Sequence, residues 1–186
     1  MPRVLVPLAD GFEEVEAVTI IDLLRRADIE VVTAALTDRR VTGNHGITLE
    51  ADTTLEAALE TAPFAMIALP GGLPGARHLQ QDPRMIAALQ AQVARGAFAA
   101  AICAAPIALA EAGLLAGRRA TSFPGFLDAS SIPGLELSES AVVKDGPIVT
   151  SRGPGTAMDF ALALIEELAG PTARQRVEER LQRPER

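Results

Sequence analysis

One cysteine, at the end of an apolar run, is the side chain in this sequence best suited to nucleophilic chemistry. Cys103 follows the apolar residues 97–102 and precedes small residues and Pro106, which opens a helical pattern. This order predicts a strand-to-helix turn at the carboxyl edge of a sheet, where ligands bind in open α/β folds. Because helix amides beyond the turn favour negative charge, we predict a thiol pKa well below its ordinary value. A buried cysteine that acts only as a small hydrophobic residue is the alternative.

Two further motifs lie at the same predicted edge. Gly71 and Gly72 follow a strand and precede a helix, and glycines in that position let amides approach a ligand or an oxyanion, although a tight turn is the simpler reading. Glu13, Glu14 and Glu16 open the first predicted helix. For Glu13 and Glu14 the favoured interpretation is interaction with the helix dipole. Glu16 lies one turn beyond Glu13, next to the apolar stripe, and can therefore face inward.

The elements that must position these residues follow an alternating pattern. Strand patterns cover residues 4–9, 29–36, 64–69 and 97–102, and helical patterns cover residues 13–26, 83–95 and 155–169. Continuously apolar strands between helices predict a doubly wound, mostly parallel α/β sheet with helices on both faces. Glycine-containing segments at 40–50 and 142–150 predict small β-hairpins. We predict one α/β domain over residues 1–170 and a charged C-terminal tail, at most a short helix, over 171–186.

Composition excludes several classes of protein. With 48% hydrophobic residues the 186-residue chain is not disordered, and a net charge of −7 with no Trp or Tyr argues against nucleic-acid binding. One Cys and two His do not supply a disulfide or a four-ligand zinc site. No apolar run is long enough to span a membrane. We expect a cytoplasmic protein with no metal, no cofactor and no membrane or nucleic-acid partner.

Four motifs in order identify a family resemblance. The sequences GFEEVEAV at 11–18, LPGG at 69–72, AICAAP at 101–106 and TSRGPGT at 150–156 resemble the ThiJ/PfpI superfamily. The match is to the branch of the parkinsonism-linked protein deglycase and its bacterial homologue YajL, and it extends to about residue 170. It implies a flavodoxin-like fold with Cys103 as the reactive thiol at a nucleophile elbow and Glu16 hydrogen-bonded to its sulfur. Gly72 and Ala104, with Gly71 beside them, are implied to form the oxyanion and substrate-binding group.

The resemblance also implies a homodimer whose active sites lie near the subunit boundary. The loop 152–154 is then expected near the partner's pocket, and His45, Arg26 and Pro154 are candidate contacts to an anion or to the partner subunit. Phe123 stands where members often have histidine, and His45 stands where relatives commonly have arginine.

These departures bear on the reaction. Unless His45 reaches Cys103 there is no Cys–His pair, which argues against protease and glutaminase chemistry. His78 is interpreted as a solvated surface residue.

Two functions use the same Cys103–Glu16 pair. The first is a cysteine-dependent enzyme, of the glyoxalase or deglycase type, that acts on 2-oxoaldehydes such as methylglyoxal and glyoxal or on their protein adducts. The second is a redox-sensing, stress-protective chaperone in which Cys103 is oxidised with little turnover. A non-catalytic interaction module is a third reading, but it leaves Glu16 unexplained.

Overall fold

A seven-stranded sheet forms the centre of the computed structural model, which describes residues 1–61 and 63–183. The strands are β1 (Arg3–Leu8), β2 (Glu30–Ala35), β3 (Arg40–Thr42), β4 (Thr48–Glu50), β5 (Thr53–Thr54), β6 (Met66–Leu69), β7 (Phe98–Ile102), β8 (Arg119–Ala120), β9 (Glu136–Leu137), β10 (Val142–Asp145) and β11 (Ile148–Ser151). The central order is β10-β11-β7-β6-β1-β2-β5, and every neighbouring pair is parallel except β10–β11. The predicted doubly wound, mostly parallel sheet is confirmed.

Helices cover both faces of this sheet. They are α1 (Glu14–Arg26), α2 (Leu55–Glu60), α3 (Gly75–Gln81), α4 (Pro83–Ala94), α5 (Pro106–Glu111), α6 (Ala157–Ala169) and α7 (Pro171–Arg180). In β1, Val4, Val6 and Leu8 pack into one core with α1 and α6, whereas Leu5 packs into a second core with α2 to α5. Because alternate side chains enter opposite cores, the strands are apolar throughout and show no polar alternation.

Helix α1 carries the first-turn glutamates to the carboxyl edge of the sheet. It begins shortly after β1 ends, and it packs against α6 through a core that contains Ala17, Ile20 and Phe160, all fully buried. Since residues three and four apart share a helix face, Glu16 lies on the side that faces inward. Packing of α1 on α6 therefore fixes the position of Glu16.

Both predicted hairpins are present. Strands β3 and β4 pair antiparallel within residues 40–50, and β10 and β11 pair antiparallel around the turn at Gly146. The second hairpin also extends the central sheet, because β11 pairs with β7 in parallel. The short elements β5, β8, β9, α2 and α3 were not predicted, since two to seven residues are too few to display a period.

The C-terminal segment forms a helix that packs on the domain. Val177 of α7 is buried in the same core as α6, and Arg183 Nη2 lies 2.7 Å from Asp159 Oδ1. Residues 184–186 of the predicted tail lie outside the described residues, and the division at residue 170 stays a prediction. Among the residues described, no helix is long and apolar enough to cross a membrane.

Truncation of Phe160 tests the packing that holds α1. Phe160→Ala removes a fully buried ring between α6 and α1, so we expect the free energy of unfolding to fall by about 3–5 kcal/mol. Denaturant titration measures the change. Leu137→Ala, at a position 47% exposed on β9, is the control and should stay within about 0.5 kcal/mol of the unmodified protein. A small loss for Phe160→Ala would show that this packing does not stabilise the domain.

Candidate active site

Cys103 lies on a strained turn between β7 and α5. Its φ is +64°, in the left-handed region that residues with a side chain rarely adopt. Two backbone hydrogen bonds hold it there: its N–H donates to the carbonyl of Ser151 at 2.9 Å, and its carbonyl accepts from the N–H of Phe123 at 2.8 Å. The residue is 9% exposed, so a small part of its surface meets solvent. This is the geometry of a nucleophile elbow.

The glycine turn after β6 closes over the cysteine. The amides of Gly72 and Ala104 donate hydrogen bonds to the Cys103 thiol. A Cβ atom on Gly71 would lie 2.7 Å from the Cys103 Cβ and 2.8 Å from Glu16 Oε2, so no other residue fits between them. Gly72 has a φ of +88°, and a Cβ there would lie 2.3 Å from the Glu13 nitrogen. A side chain at either glycine would clash, so both glycines are required for this turn to approach Cys103 and Glu16 closely.

Glu16 is fully buried beside the thiol. Its Oε2 accepts a hydrogen bond from the N–H of Gly71 at 2.7 Å, and its carboxyl group is hydrogen-bonded to the side chain of Cys103. Burial raises the pKa of Glu16 to about 7, and these hydrogen bonds only partly offset that rise. The carboxyl group can therefore both give and take a proton near neutral pH.

The thiol pKa differs from the prediction. Burial, together with the charge of Glu16 and the hydrogen bond to it, raises the pKa of Cys103 to about 12, although the Gly72 and Ala104 amides act in the opposite direction. The predicted low pKa is wrong because these two amides favour the thiolate less than burial and Glu16 disfavour it. The two groups titrate as a pair. Between pH values of about 7 and 12 the pair holds one proton and one negative charge, and the thiolate exists when that proton is on Glu16.

The two preceding glutamates anchor the first hairpin. Glu14 Oε1 accepts from the backbone N–H groups of His45 at 2.8 Å and Ile47 at 3.3 Å, and Glu14 Oε2 lies 3.1 Å from His45 Nδ1. Burial acts to raise the pKa of Glu14, but these hydrogen bonds lower it below its ordinary value. Glu13 is also buried, and its Oε2 accepts from the Asn44 side chain at 3.2 Å. Both residues therefore lie at the start of α1, as interaction with the helix dipole requires, and they also hold the hairpin.

His45 is held away from the thiol. The hydrogen bond to Glu14 and the nearby charge of Glu13 raise its pKa, and its Nδ1 lies 3.5 Å from Glu13 Oε1. One ligand atom from each of Glu13, Glu14 and His45 lies within 4.8 Å of the others, a spacing that could hold a cation. Hydrogen bonds within the hairpin already account for both oxygens of Glu14. The structure therefore gives His45 an anchoring contact and no contact with Cys103.

The remaining candidates lie at different distances from the elbow. Arg26 ends α1 and pairs with Asp22 at 2.7 Å; ten residues of helix put it roughly 15 Å along the axis from Glu16. Pro154 is exposed in the turn after β11, in a loop that starts beside Ser151. His78 is exposed, as expected.

Phe126 belongs beside the site but is not among the predicted residues. Its side chain packs against the buried cluster of Ala76, Ala104 and Ile107, and its only sequence signal is its position three residues after Phe123. The Ser151 contact uses a backbone carbonyl, which has no side-chain signature in the sequence.

Comparison with known proteins agrees with the fold of the structure. The model of the DJ-1/PfpI family matches residues 2–167, and the chain belongs to that family. It is 41% identical to the Parkinson disease protein 7 homolog of Danio rerio over 170 residues, which is 90% of each chain. It is 35% identical to a deglycase of Pyrococcus abyssi over 153 residues, which is 82% of this chain and 91% of that protein.

Solved structures agree with the same assignment. The oxidized form of Toxoplasma gondii DJ-1 superimposes with a TM-score of 0.90 at 38% identity, covering 97% of this chain and 98% of that one. Some relatives are longer than this chain. DJ-1 homolog B of Arabidopsis thaliana is 42% identical over 171 residues, which is 91% of this chain but only 38% of that protein.

Removal of the Glu16 charge should lower the pKa of Cys103. Glu16→Gln keeps the size of the side chain but has no negative charge to oppose the thiolate, so we expect the thiol midpoint to fall below the value of about 12 in the unmodified protein. Ultraviolet thiolate absorbance against pH measures it, and with a single cysteine the signal has one source. Glu56→Gln, an exposed first-turn glutamate of α2, is the matched control. An unchanged midpoint in Glu16→Gln would mean that the carboxylate does not act on the sulfur.

Proposed function

We propose that this protein is a cysteine-dependent enzyme that converts 2-oxoaldehydes, such as methylglyoxal, to 2-hydroxy acids. The observation that carries the proposal is the fully buried Glu16 carboxyl group, hydrogen-bonded to the Cys103 thiol, with a pKa raised to about 7. An acid with that pKa suits proton transfer in both directions at neutral pH. The deglycase among the relatives supports the same class of chemistry.

The reaction begins with addition of sulfur to the aldehyde. Proton transfer from Cys103 to Glu16 gives the thiolate, which attacks the aldehyde carbon and forms a C–S bond while the carbonyl π electrons move to oxygen. The amides of Gly72 and Ala104 already point at the sulfur, next to where that oxygen develops, and can stabilise its charge. Glu16 then returns its proton to the oxygen, which leaves a neutral hemithioacetal and an ionised carboxylate.

Proton transfer between the two carbons completes the isomerisation. The Glu16 carboxylate removes the hydrogen from the former aldehyde carbon, and the neighbouring ketone oxygen takes the proton of the hydroxyl group on that carbon, which gives an enediolate. Glu16 then returns its proton to the adjacent carbon while the oxygen on the sulfur-bearing carbon becomes a carbonyl, which gives the thioester of a 2-hydroxy acid. Water then cleaves the C–S bond, releasing the acid and the thiol. The net change is addition of one water molecule to the 2-oxoaldehyde, so no external oxidant or reductant is needed.

Deglycase activity follows from the same step. Hemiaminal adducts between 2-oxoaldehydes and protein amines are in equilibrium with free aldehyde, so consumption of the aldehyde reverses them. Protease activity is not proposed, since no imidazole contacts Cys103 within the described residues. A thiol that must stay reduced for turnover suits a reducing compartment, and we propose the cytoplasm.

Glu16 variants test the proton relay. Glu16→Gln cannot return a proton, so we expect lactate formation from methylglyoxal to fall by roughly two orders of magnitude or more. Glu16→Asp keeps the acid but retracts it by one methylene, and part of the activity should remain. Purified variants are compared in a lactate assay, with Glu56→Gln as the matched exposed control. Turnover of Glu16→Gln at the rate of the unmodified protein would contradict the mechanism.

A redox-sensing role is the second candidate. One solved relative, the DJ-1 protein of Toxoplasma gondii, is described as oxidized, and 9% of the surface of Cys103 is exposed. Mass spectrometry after graded peroxide decides between the two when run with the lactate assay. Selective oxidation of Cys103 without aldehyde turnover would favour the redox-sensing, chaperone-like function.

We also propose a homodimer, as the family resemblance implies. Val15 and Val18 on α1 are 54% and 45% exposed, and Ile47 on the adjacent hairpin is 55% exposed. The backbone N–H of Ile47 donates to Glu14, next to Val15, and we infer that these three side chains belong to one apolar α1–hairpin patch. Since contiguous exposed apolar surface marks interaction sites, we assign the patch to a second copy of the chain. Arg26 is then the candidate α1 contact to that copy.

A charge in this patch should dissociate the dimer. Val18→Asp places a carboxylate in the proposed interface, so we expect sedimentation at micromolar concentration to show a monomer, whereas the unmodified protein is a dimer. Leu137→Asp, equally exposed on β9, is the control and should leave the dimer intact. A monomeric unmodified protein would overturn the proposed assembly.

A further inference from the structure

An aromatic pair lies beside the elbow and has no role in the proton relay. Phe123 is 45% exposed, whereas Phe12, Phe64 and Phe160 are each 2% exposed or less. Its ring centroid lies 6.1 Å from that of Phe126, at an interplanar angle of 79°. An edge-to-face pair of this kind is attractive and fixes the orientation of the exposed ring.

Both phenylalanines are connected to residues that form the site. The N–H of Phe123 donates to the carbonyl of Cys103, and Phe126 packs against a buried cluster that contains Ala104, whose amide contacts the sulfur. On its other side the Phe123 ring borders Gly153, where a Cβ would lie 3.3 Å from the ring. The Phe123 ring is therefore held between Phe126 and the loop after β11, and the backbone of the same residue is hydrogen-bonded to Cys103.

We propose that Phe123 and Phe126 form an apolar wall of the Cys103 site that favours carbonyl ligands with an aryl substituent over those with a methyl substituent. This proposal rests on the proposed function and adds a substrate class to it, namely aryl 2-oxoaldehydes such as phenylglyoxal. An imidazole at position 123 would present polar nitrogens to the same space. The phenyl ring instead offers a flat apolar surface whose burial by a second ring is favourable.

The expected preference is moderate. A pocket that distinguishes ligands by apolar contact alone typically gives roughly 10- to 200-fold discrimination. The Phe123 ring covers only one side of the ligand, so we expect about a tenfold preference, at the lower end of that range. It should act mainly on KM, because the wall does not touch the carbon atoms that exchange protons.

Two measurements test the wall, one of which does not require turnover. The first is kcat/KM for phenylglyoxal relative to methylglyoxal. The second is the alkylation rate of Cys103 by 2-iodo-N-phenylacetamide relative to iodoacetamide, with each rate normalised to glutathione. The two reagents share the reacting carbon, so the ratio reports contact with the aryl group alone. Phe123→Ala should lower both ratios about tenfold, and Phe123→Leu, which stays apolar, should restore part of each.

The possible outcomes test the aryl preference and the proposed enzyme activity separately. Leu137→Ala, the exposed control, should leave both ratios unchanged. An aryl preference in alkylation without turnover of either aldehyde would support the wall and overturn the proposed enzyme activity. Turnover with equal ratios in the unmodified protein and Phe123→Ala would overturn the wall and leave the enzyme activity standing. Dissociation of a dimer by Phe123→Ala would show that the ring contacts a second copy, and this too would overturn the wall.

Discussion

A carboxyl group and a thiol buried in contact with each other cannot both be charged, and the rest of the site follows from that constraint. Glu16 is fully buried, so its ionised form is poorly solvated and its pKa rises to about 7. Its negative charge in turn disfavours the thiolate of Cys103. The pair therefore keeps a single proton over a wide range of pH. Chemistry at the sulfur then depends on which atom holds that proton.

Holding the two groups together places steric demands on three different elements. Gly71 leaves no space for a Cβ between Cys103 and Glu16, and its N–H satisfies one carboxyl oxygen. The left-handed backbone of Cys103 is a conformation that costs free energy, and hydrogen bonds to Ser151 and Phe123 on neighbouring segments offset it. Packing of α1 against α6 supplies the rigid support from which Glu16 reaches the sulfur.

The hairpin over α1 extends the site toward the surface that we assign to a second subunit. Glu13 and Glu14 are buried under it, and Glu14 accepts hydrogen bonds from two of its backbone amides. The charge of Glu13 also acts to raise the pKa of Glu16. Glu13, which helps to fix the hairpin, thus also contributes to the raised pKa of Glu16. Near Cys103, we propose that Phe123 gives the site an apolar border.

The sequence by itself determined the fold class and the two central residues. Continuously apolar strands and amphipathic helices have clear sequence patterns, so the four strands and three helices predicted from them lie within about two residues of their structural bounds. Cys103 and Glu16 were recognisable because each stands at a predicted strand or helix end, within a family motif. Short elements such as α3 and β8 have no period to read, and only tertiary contacts stabilise them.

Only the tertiary structure decided the protonation of the site and the contacts of its neighbours. A pKa depends on burial and on charges brought close from distant parts of the chain, and 87 residues separate Glu16 from Cys103. Local sequence therefore suggested a low thiol pKa, whereas burial and the carboxylate raise it to about 12. The burial of Glu13 and Glu14 by the hairpin, and the packing of Phe126 on Ala104, are likewise long-range contacts. Periodicity encodes which residues face the core, but not which of them meet there.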